Sequence, residues 1–437
     1  MSRNVICLVL LFTILPAIAQ SDDAAPRAQP AETAAGAAKV AEKWGSYTPN
    51  FGFKVVDTDK GDMNVAIYTY IRYLNQTALD DTYTNAFGTV SNPQLRQDFQ
   101  IQKVQIKFLG WLLDPKLRYF LYAWTSNASQ GQGAQVVLAG NLNYTFNEHL
   151  TLSAGIRSLP GTRSVEGNFP FWLPVDARLI ADEFFRPSYT SGIWVQGKVT
   201  DTLSYQLMLG NNLSTLGVSA AQLDNRADTL AGALIWQPMG DFGQGFGDFE
   251  EHEQLATRLA AHYTHSTESK QSQPNNDEFE NTQIRLSDGT VIFTPNLFGP
   301  GVTVNRLLYE MACMDVGIKY RGWSADAEYY WRRLSEFQGP GTETLPHRYD
   351  RGFQVQLAAM AIPKTLQVYL AGSRINGEFG DPWDVRVGAN WTPWHNKVIR
   401  WNFEAQYLNN SPVGGTSLPY PVGARGTVYY TSLEMAL

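Results

Sequence analysis

The chemically reactive side chains of this sequence do not form a catalytic or metal-binding pattern. His262 and His265 are three residues apart, so in a strand they point to opposite faces and make a poor metal pair. Residues 57–62 (DTDKGD) begin like a calcium loop, but Tyr68 stands where such a loop needs a bidentate glutamate. Neither G-x-S-x-G nor H-E-x-x-H occurs. We therefore predict no enzymatic activity, no catalytic residue, no metal site and no cofactor.

Basic side chains are the remaining candidates for function, because they recur on the polar face of segments whose other face is apolar. Such a row of charges attracts anions rather than making or breaking bonds. The alternative is that these bases only pair with acids of the same faces, or with lipopolysaccharide phosphates near the rim. The residues predicted to line a polar wall are Lys103, Lys107, Arg118, Arg157, Arg258, Lys319, Arg332, Arg386 and Arg400.

The sequence segments that contain these bases are predicted to be β-strands. In residues 399–407, for example, Trp401 and Phe403 alternate with Arg400 and Glu404. Because side chains alternate between the two faces of a strand, each such segment is predicted to be a strand with one apolar and one charged face. The rhythm continues to the C-terminus and gives about sixteen strands, an even number as in bacterial barrels.

Two features favour a membrane barrel over a soluble β-sandwich. Apolar faces end in aromatic residues such as Trp323 and Trp391, as bilayer interfaces select. Connections alternate between short turns and long polar loops, although the turn at residues 238–253 is long for its side. We predict an all-β protein, a transmembrane antiparallel β-barrel of about 16 strands with an inward-folded third loop.

That third loop is the long segment 158–189, within which residues 175–185 are predicted to form a short amphipathic helix. An inward course would narrow a pore, whereas the alternative is a surface loop packed against a neighbouring subunit. Its acidic and basic groups balance, so the loop alone gives no ion preference. The predicted constriction residues are Arg163, Glu166, Asp176, Arg178, Asp182, Glu183 and Arg186.

The N-terminus has the pattern of an exported protein. Residues 1–19 are predicted to be a signal peptide, with Arg3, an apolar stretch and an A-x-A cleavage site. Residues 20–49 have the composition of a flexible periplasmic segment, and residues 50–437 form the barrel domain. Without the leader, Cys313 is the single cysteine and has no intramolecular disulfide partner. A net charge of −7 argues against a nucleic-acid partner.

Residues 50–437 resemble the phosphate/polyphosphate-selective (O/P type) porin family. The resemblance is carried by residues 52–55 (GFKV) with 57–61 (DTDKG), and by residues 182–188 (DEFFRPS) in the third loop. It implies sixteen strands, a trimer and passive diffusion with a preference for anions. The sequence departs from the family pattern in ending on Leu437 rather than on Phe or Trp, and in the acids that interrupt the basic faces, Asp326, Glu328 and Glu404.

The sequence thus predicts a porin in the outer membrane of a Gram-negative bacterium. It would form a passive, water-filled anion channel for small hydrophilic solutes, with phosphate-like anions among the possible cargo. Expected partners are outer-membrane lipid and lipopolysaccharide, small anionic or neutral solutes, and two further copies of the chain in a homotrimer. The alternatives are an outer-membrane β-barrel enzyme of the phospholipase kind and a soluble secreted β-protein.

Overall fold

The computed structural model describes residues 46–48, 51–126, 135–166, 171–214, 226–272, 284–415 and 418–437. The predicted signal peptide and nearly all of the predicted periplasmic segment lie outside the described residues. None of the helices in the described ranges is long and apolar enough to cross a membrane.

The chain forms one antiparallel sheet of 18 strands that closes on itself. The first two strands are a short extension, and the remaining sixteen form the barrel, as the alternation predicted. The first and last barrel strands pair to close the barrel, with Leu433 opposite Ile71. The extension is β1 (Tyr47–Thr48) and β2 (Gly52–Thr58). The barrel strands are β3 (Gly61–Leu79), β6 (Gln97–Leu112), β7 (Asp114–Ser126), β8 (Gln135–Asn147), β9 (Leu150–Ser158), β10 (Tyr189–Lys198), β11 (Leu203–Gly210), β12 (Thr229–Met239), β13 (Ala256–Ser269), β14 (Arg306–Tyr320), β15 (Trp323–Gln338), β16 (Arg348–Ile362), β17 (Leu366–Asn376), β18 (Trp383–Trp391), β19 (Ile399–Asn409) and β20 (Gly426–Ala436).

Residues 57–62 form the end of the hairpin between β2 and β3, with the turn at residues 59–60, and not a calcium loop. Strand β2 pairs with the first residues of β3, on the same edge that β20 occupies further along. Gly52 begins β2 with a φ of 74°, and a Cβ there would lie 2.1 Å from the carbonyl oxygen of Val65. Only glycine fits this position, because other residues rarely adopt that φ and the space is absent.

The alternation places apolar side chains outside and polar side chains inside the barrel. Val316, Leu357 and Val387 are 42%, 45% and 58% exposed on the outer surface, whereas Arg386 and Asn402 face inward and are 2% and 0% exposed. The predicted aromatic ends also point outward, since Trp323 and Trp391 are both well exposed. A closed sheet satisfies every ladder hydrogen bond, which is the condition for crossing a bilayer with strands.

The connections differ at the two ends of the barrel, as the sequence predicted. At the short-turn rim, Arg321 and Gly322 join β14 to β15 with φ values of 48° and 82°, the two left-handed residues of a type I′ hairpin. The exception at this rim is residues 240–255, between β12 and β13. The opposite, long-loop rim carries residues 80–96, with the hairpin β4 (Tyr83–Thr84) and β5 (Val90–Ser91). It also carries the connections at residues 159–188, 211–228, 270–305 and 410–425.

The loop between β15 and β16 is short for this rim. Strand β15 continues to Gln338, and the loop covers only residues 339–347. Strand β15 extends because its partner β14 is equally long, and Arg306 pairs with Gln338 at the far end of the ladder.

Candidate functional site: the barrel interior and its third loop

The third loop, residues 159–188, enters the barrel after β9 and returns to the wall at β10. Leu159, Val175 and Phe185 are each 0% exposed, so the loop is enclosed by the barrel and does not lie on its surface. This confirms the inward-folded third loop and decides against the alternative of a surface loop.

The helix predicted for residues 175–185 is shorter than expected. Helix α1 covers Ile180–Phe185 only. Asp176 has a φ of 50°, and Leu179 is extended with a ψ of 156°, so neither continues a helix. The helix ends at Arg186 because the following Pro187 disfavours helical geometry in the residue before it.

Wall side chains hold the third loop by its backbone. The Arg386 guanidinium donates to the carbonyl oxygen of Arg178 at 2.6 Å, and that of Arg400 donates to the carbonyl oxygen of Trp172 at 2.7 Å. The Tyr309 hydroxyl, on the other side, donates to the carbonyl oxygen of Phe185 at 2.8 Å. These bonds satisfy buried carbonyl groups that have no strand partner, so the path of the loop is fixed from several strands.

A cluster of four charged or titratable side chains clamps the first part of the loop. Glu166 accepts two hydrogen bonds from Arg258, and Arg258 also donates to Asp315 at 2.8 Å. His262 lies 2.8 Å from Asp315 and 3.4 Å from Glu166. Glu166, His262 and Asp315 are close enough to hold a metal ion. Because Arg258 hydrogen-bonds to both carboxylates, we interpret the cluster as an ion-pair network.

The remaining acids of the third loop are paired as well. Asp176 accepts from Lys103 at 2.8 Å and from the Tyr70 hydroxyl at 2.8 Å. Glu183 pairs with Arg178 at 3.3 Å and with Arg186.

Asp182 lies in the same loop and is 3% exposed. Burial raises its pKa, while Arg178 and a hydrogen bond from Ser164 oppose that change. Each predicted constriction residue with a carboxylate is therefore matched by a base.

A second segment enters the barrel from the short-turn rim. We call residues 240–255 the inner turn. Its Phe242 is 1% exposed, and the carbonyl oxygen of Gly245 accepts a hydrogen bond from Arg163 of the third loop at 2.9 Å. Arg163 also pairs with Asp326 on β15. The third loop and the inner turn therefore meet inside the barrel at Arg163. The sequence predicted a long turn here but not that it folds inward.

The interior is consequently filled unevenly. Inward side chains on β15 to β19 are covered, as with Gln354 at 1% and Asn402 at 0% exposure. Inward side chains on β8 and β10 keep contact with solvent, as with Asn141, Asn143 and Gln196. The solvent-accessible part of the interior thus lies beside β7 to β10, across from the segments that the third loop covers.

No family model and no curated protein matches the sequence. Solved structures do. The chain is similar to the anion-selective porin from Comamonas acidovorans, at 8% identity and a TM-score of 0.53, with 86% of this chain and 100% of that chain covered. It is also similar to outer-membrane expressed OmpT of Vibrio cholerae, at 8% identity and a TM-score of 0.52, with 87% of this chain and 99% of that chain covered. A third similar structure is Salmonella typhi OmpF in complex with daunomycin, at 12% identity and a TM-score of 0.50, with 88% of this chain and 100% of that chain covered.

The chain has the fold of a sixteen-stranded porin.

Within this porin fold, the nine predicted wall bases separate into two groups. All nine occupy inward positions of barrel strands. Most of the buried bases pair with an acid, as Arg332 does with Asp350 and Arg400 with Glu434. The buried bases are Lys103, Arg258, Lys319, Arg332, Arg386 and Arg400. Those that keep contact with solvent are Lys107, Arg118 and Arg157. The register thus brings most of the bases together with acids beneath the third loop, and leaves three on the accessible side.

Sequence reasoning missed the aromatic residues of that accessible side of the porin interior. Phe120, Tyr122 and Trp124 occupy alternate positions of β7 on the same face as Arg118. The signal was present in the sequence, because these residues share the parity of Arg118.

Proposed function

We propose that the protein is an outer-membrane porin that forms a passive, water-filled channel for small hydrophilic solutes and that prefers anions. It performs no catalysis and uses no cofactor in this role. The observation that carries the proposal is the charge of the accessible wall. Lys107, Arg118 and Arg157 face the solvent-accessible part of the interior, while the acids of the facing third loop are already paired.

The strands beside that space strengthen the argument. β8, β9, β10 and β11 contain no aspartate or glutamate at all. An ion responds to wall charge within a Debye length, about 8–10 Å at physiological ionic strength. A permeating ion beside these strands would therefore meet more basic than acidic wall residues even though the whole chain is acidic.

The orientation follows from the loops. In outer-membrane barrels the short turns face the periplasm and the long loops face the outside, so we assign the short-turn rim to the periplasm. The exposed apolar band would contact lipid, and the long-loop rim would contact lipopolysaccharide. We further propose export by the leader at residues 1–19 and assembly as a homotrimer, as the sequence resemblance implies.

Phosphate-like anions are candidate solutes because the O/P-type resemblance implies them. The pairing of most wall bases with acids reduces the support for a dense phosphate-binding ladder. We accordingly propose a general anion preference as the function.

Planar-bilayer recording of the purified full-length protein tests the proposal. In a potassium chloride gradient, the reversal potential should show that chloride permeates more easily than potassium. A channel that favours potassium, or a protein that forms no channel in any detergent-reconstituted preparation, would contradict it.

A further inference from the structure

Arg157 is the accessible base whose guanidinium the structure fixes in place. Its NH1 donates to Oε1 of Gln196 at 3.0 Å, and its NH2 donates to Oε1 of Gln206 at 2.9 Å. The guanidinium carbon also lies 5.3 Å from the ring centre of Trp194. Amide and indole groups carry no charge, so these contacts orient the guanidinium without cancelling its charge.

Glycines leave room for this side chain. Gly155, Gly192 and Gly210 lie opposite one another across β9, β10 and β11, on the inward face. With no side chains on this floor, Arg157 can extend along the wall toward Gln196. Gln196 lies six residues along β10 from Thr190, the residue opposite Arg157, in the direction of the short-turn rim. A guanidinium has five N–H donors, and the two hydrogen bonds to the glutamines leave donors for a solute.

Aromatic residues stand beside the floor. We call Phe120, Tyr122, Trp124 and Tyr189 the aromatic wall, because they pack as one cluster on the interior side of the barrel. Tyr122 and Trp124 are 6% and 5% exposed, whereas Phe120 and Tyr189 are partly exposed. Two ring surfaces are thus available to a molecule in the channel.

The strand register sets the aromatic wall next to Arg157. Phe120 lies opposite Asn141, and Asn141 lies opposite Gly155, so the wall and the floor are at the same height. On the other side of the wall, Lys107 lies opposite Tyr122. A ring resting on the wall would therefore have Arg157 on one side and Lys107 on the other.

We infer, on the basis of the proposed anion-preferring channel, that this region is a binding site for a carboxylate attached to a planar ring. The ring packs against Phe120 and Tyr189, because aromatic surfaces gain from offset or edge contacts. The carboxylate accepts hydrogen bonds from Arg157, whose planar guanidinium matches a carboxylate in shape.

Inorganic phosphate fits the same site less well. It offers no apolar surface to the aromatic wall. Arg157 and Lys107 stand on strands three places apart, about 14 Å at the usual strand spacing. The two bases therefore do not converge on one small tetrahedral anion.

Current block in single channels tests the site. Benzoate, acetate and inorganic phosphate are added separately, in increasing concentration, to the full-length protein in a planar bilayer in potassium chloride. Benzoate should block at a lower concentration than the other two. Phe120→Leu should raise the half-blocking concentration of benzoate roughly two- to tenfold, the value of one aromatic contact, and leave that of acetate unchanged. Phe403→Leu, on the lipid-facing surface, is the matched control and should change neither.

A second pair of variants tests the carboxylate end. Arg157→Gln should weaken block by benzoate and acetate alike. If that variant does not assemble, Gln196→Glu keeps the arginine and its hydrogen bond but cancels the charge, with the same expected loss. An anion-preferring channel in which benzoate blocks no better than acetate or phosphate, or in which Phe120→Leu has no effect, would overturn the binding site and leave the proposed porin function standing. A cation-preferring or non-conducting protein would overturn both.

Discussion

The guanidinium of Arg258, on β13, donates to both carboxylate oxygens of Glu166, in the third loop, at 2.8 and 2.7 Å. The Glu166 and Arg258 side chains are 6% and 7% exposed, so the pair is shielded from water and salt. This contact joins the barrel wall to the loop close to the point at which the loop leaves β9.

Removing the base from that pair should destabilise the barrel. Arg258→Leu leaves Glu166 and Asp315 buried without their cation, and breaking a buried pair from one side costs about 3–5 kcal/mol. Arg333→Leu is the matched control, because Arg333 pairs with Glu310 while 42% exposed, and a surface pair is worth about 0–1 kcal/mol. Urea unfolding in detergent measures both. Equal losses would show that Arg258 does not hold the loop.

Selectivity should depend on the accessible bases. Neutralising Lys107, Arg118 and Arg157 together to glutamine should lower the chloride-to-potassium permeability ratio, because the positive wall charge is removed from the solvent-accessible space. The control removes the same charge from Lys60, Lys364 and Arg425, which lie at the rims. Reversal potentials give the ratio for each channel. If the control lowers it as much as the triple change does, net charge and not position decides the preference.

A charged side chain introduced on the outer face of the barrel should impair folding. Val387→Arg places a cation on the lipid-facing surface, at a cost of about 2–4 kcal/mol near the bilayer midplane. Asn143→Arg places the same side chain on an inward, partly exposed position, where water can solvate it. Refolding yield into lipid vesicles should fall for the first variant and remain near the wild-type value for the second. The opposite order would reverse the assignment of the two faces.

Epitope tags should distinguish the two rims. A tag inserted after Glu343, in the loop at residues 339–347, should be labelled by antibody on intact cells. A tag after Lys364, in the turn between β16 and β17, should be labelled only after the outer membrane is permeabilised. The reverse pattern would show that the barrel is inserted the other way round.

Local sequence patterns were sufficient to predict the strands. Trp401 and Phe403 alternate with Arg400 and Glu404 in sequence, and the structure separates the two pairs to the outer and inner faces of β19. A period of two is a strictly local property, so it can be read without knowing the partners of a strand. The inward third loop was also predicted, although its helix proved shorter.

The interior contacts could not be predicted in the same way. Arg400 meets Glu434 only because β19 and β20 pair in one particular register, and it meets the carbonyl oxygen of Trp172 only because the third loop crosses the barrel. The inward course of the inner turn likewise depends on contacts of Phe242 with Lys319 on β14 and with Arg163 in the third loop. Polarity within one segment contains no information on such pairings.

The junction of β3 with β20 has a consequence for biogenesis. The first and last strands of the barrel are hydrogen-bonded neighbours, so the sheet keeps two open edges until synthesis of the chain is complete. Contacts between residues so distant in sequence form slowly, because the entropy of the intervening chain must be lost first. During that interval unpaired backbone groups invite association with other chains. We therefore expect the chain to be prone to association until the ladder between Gly426–Ala436 and its partner has formed.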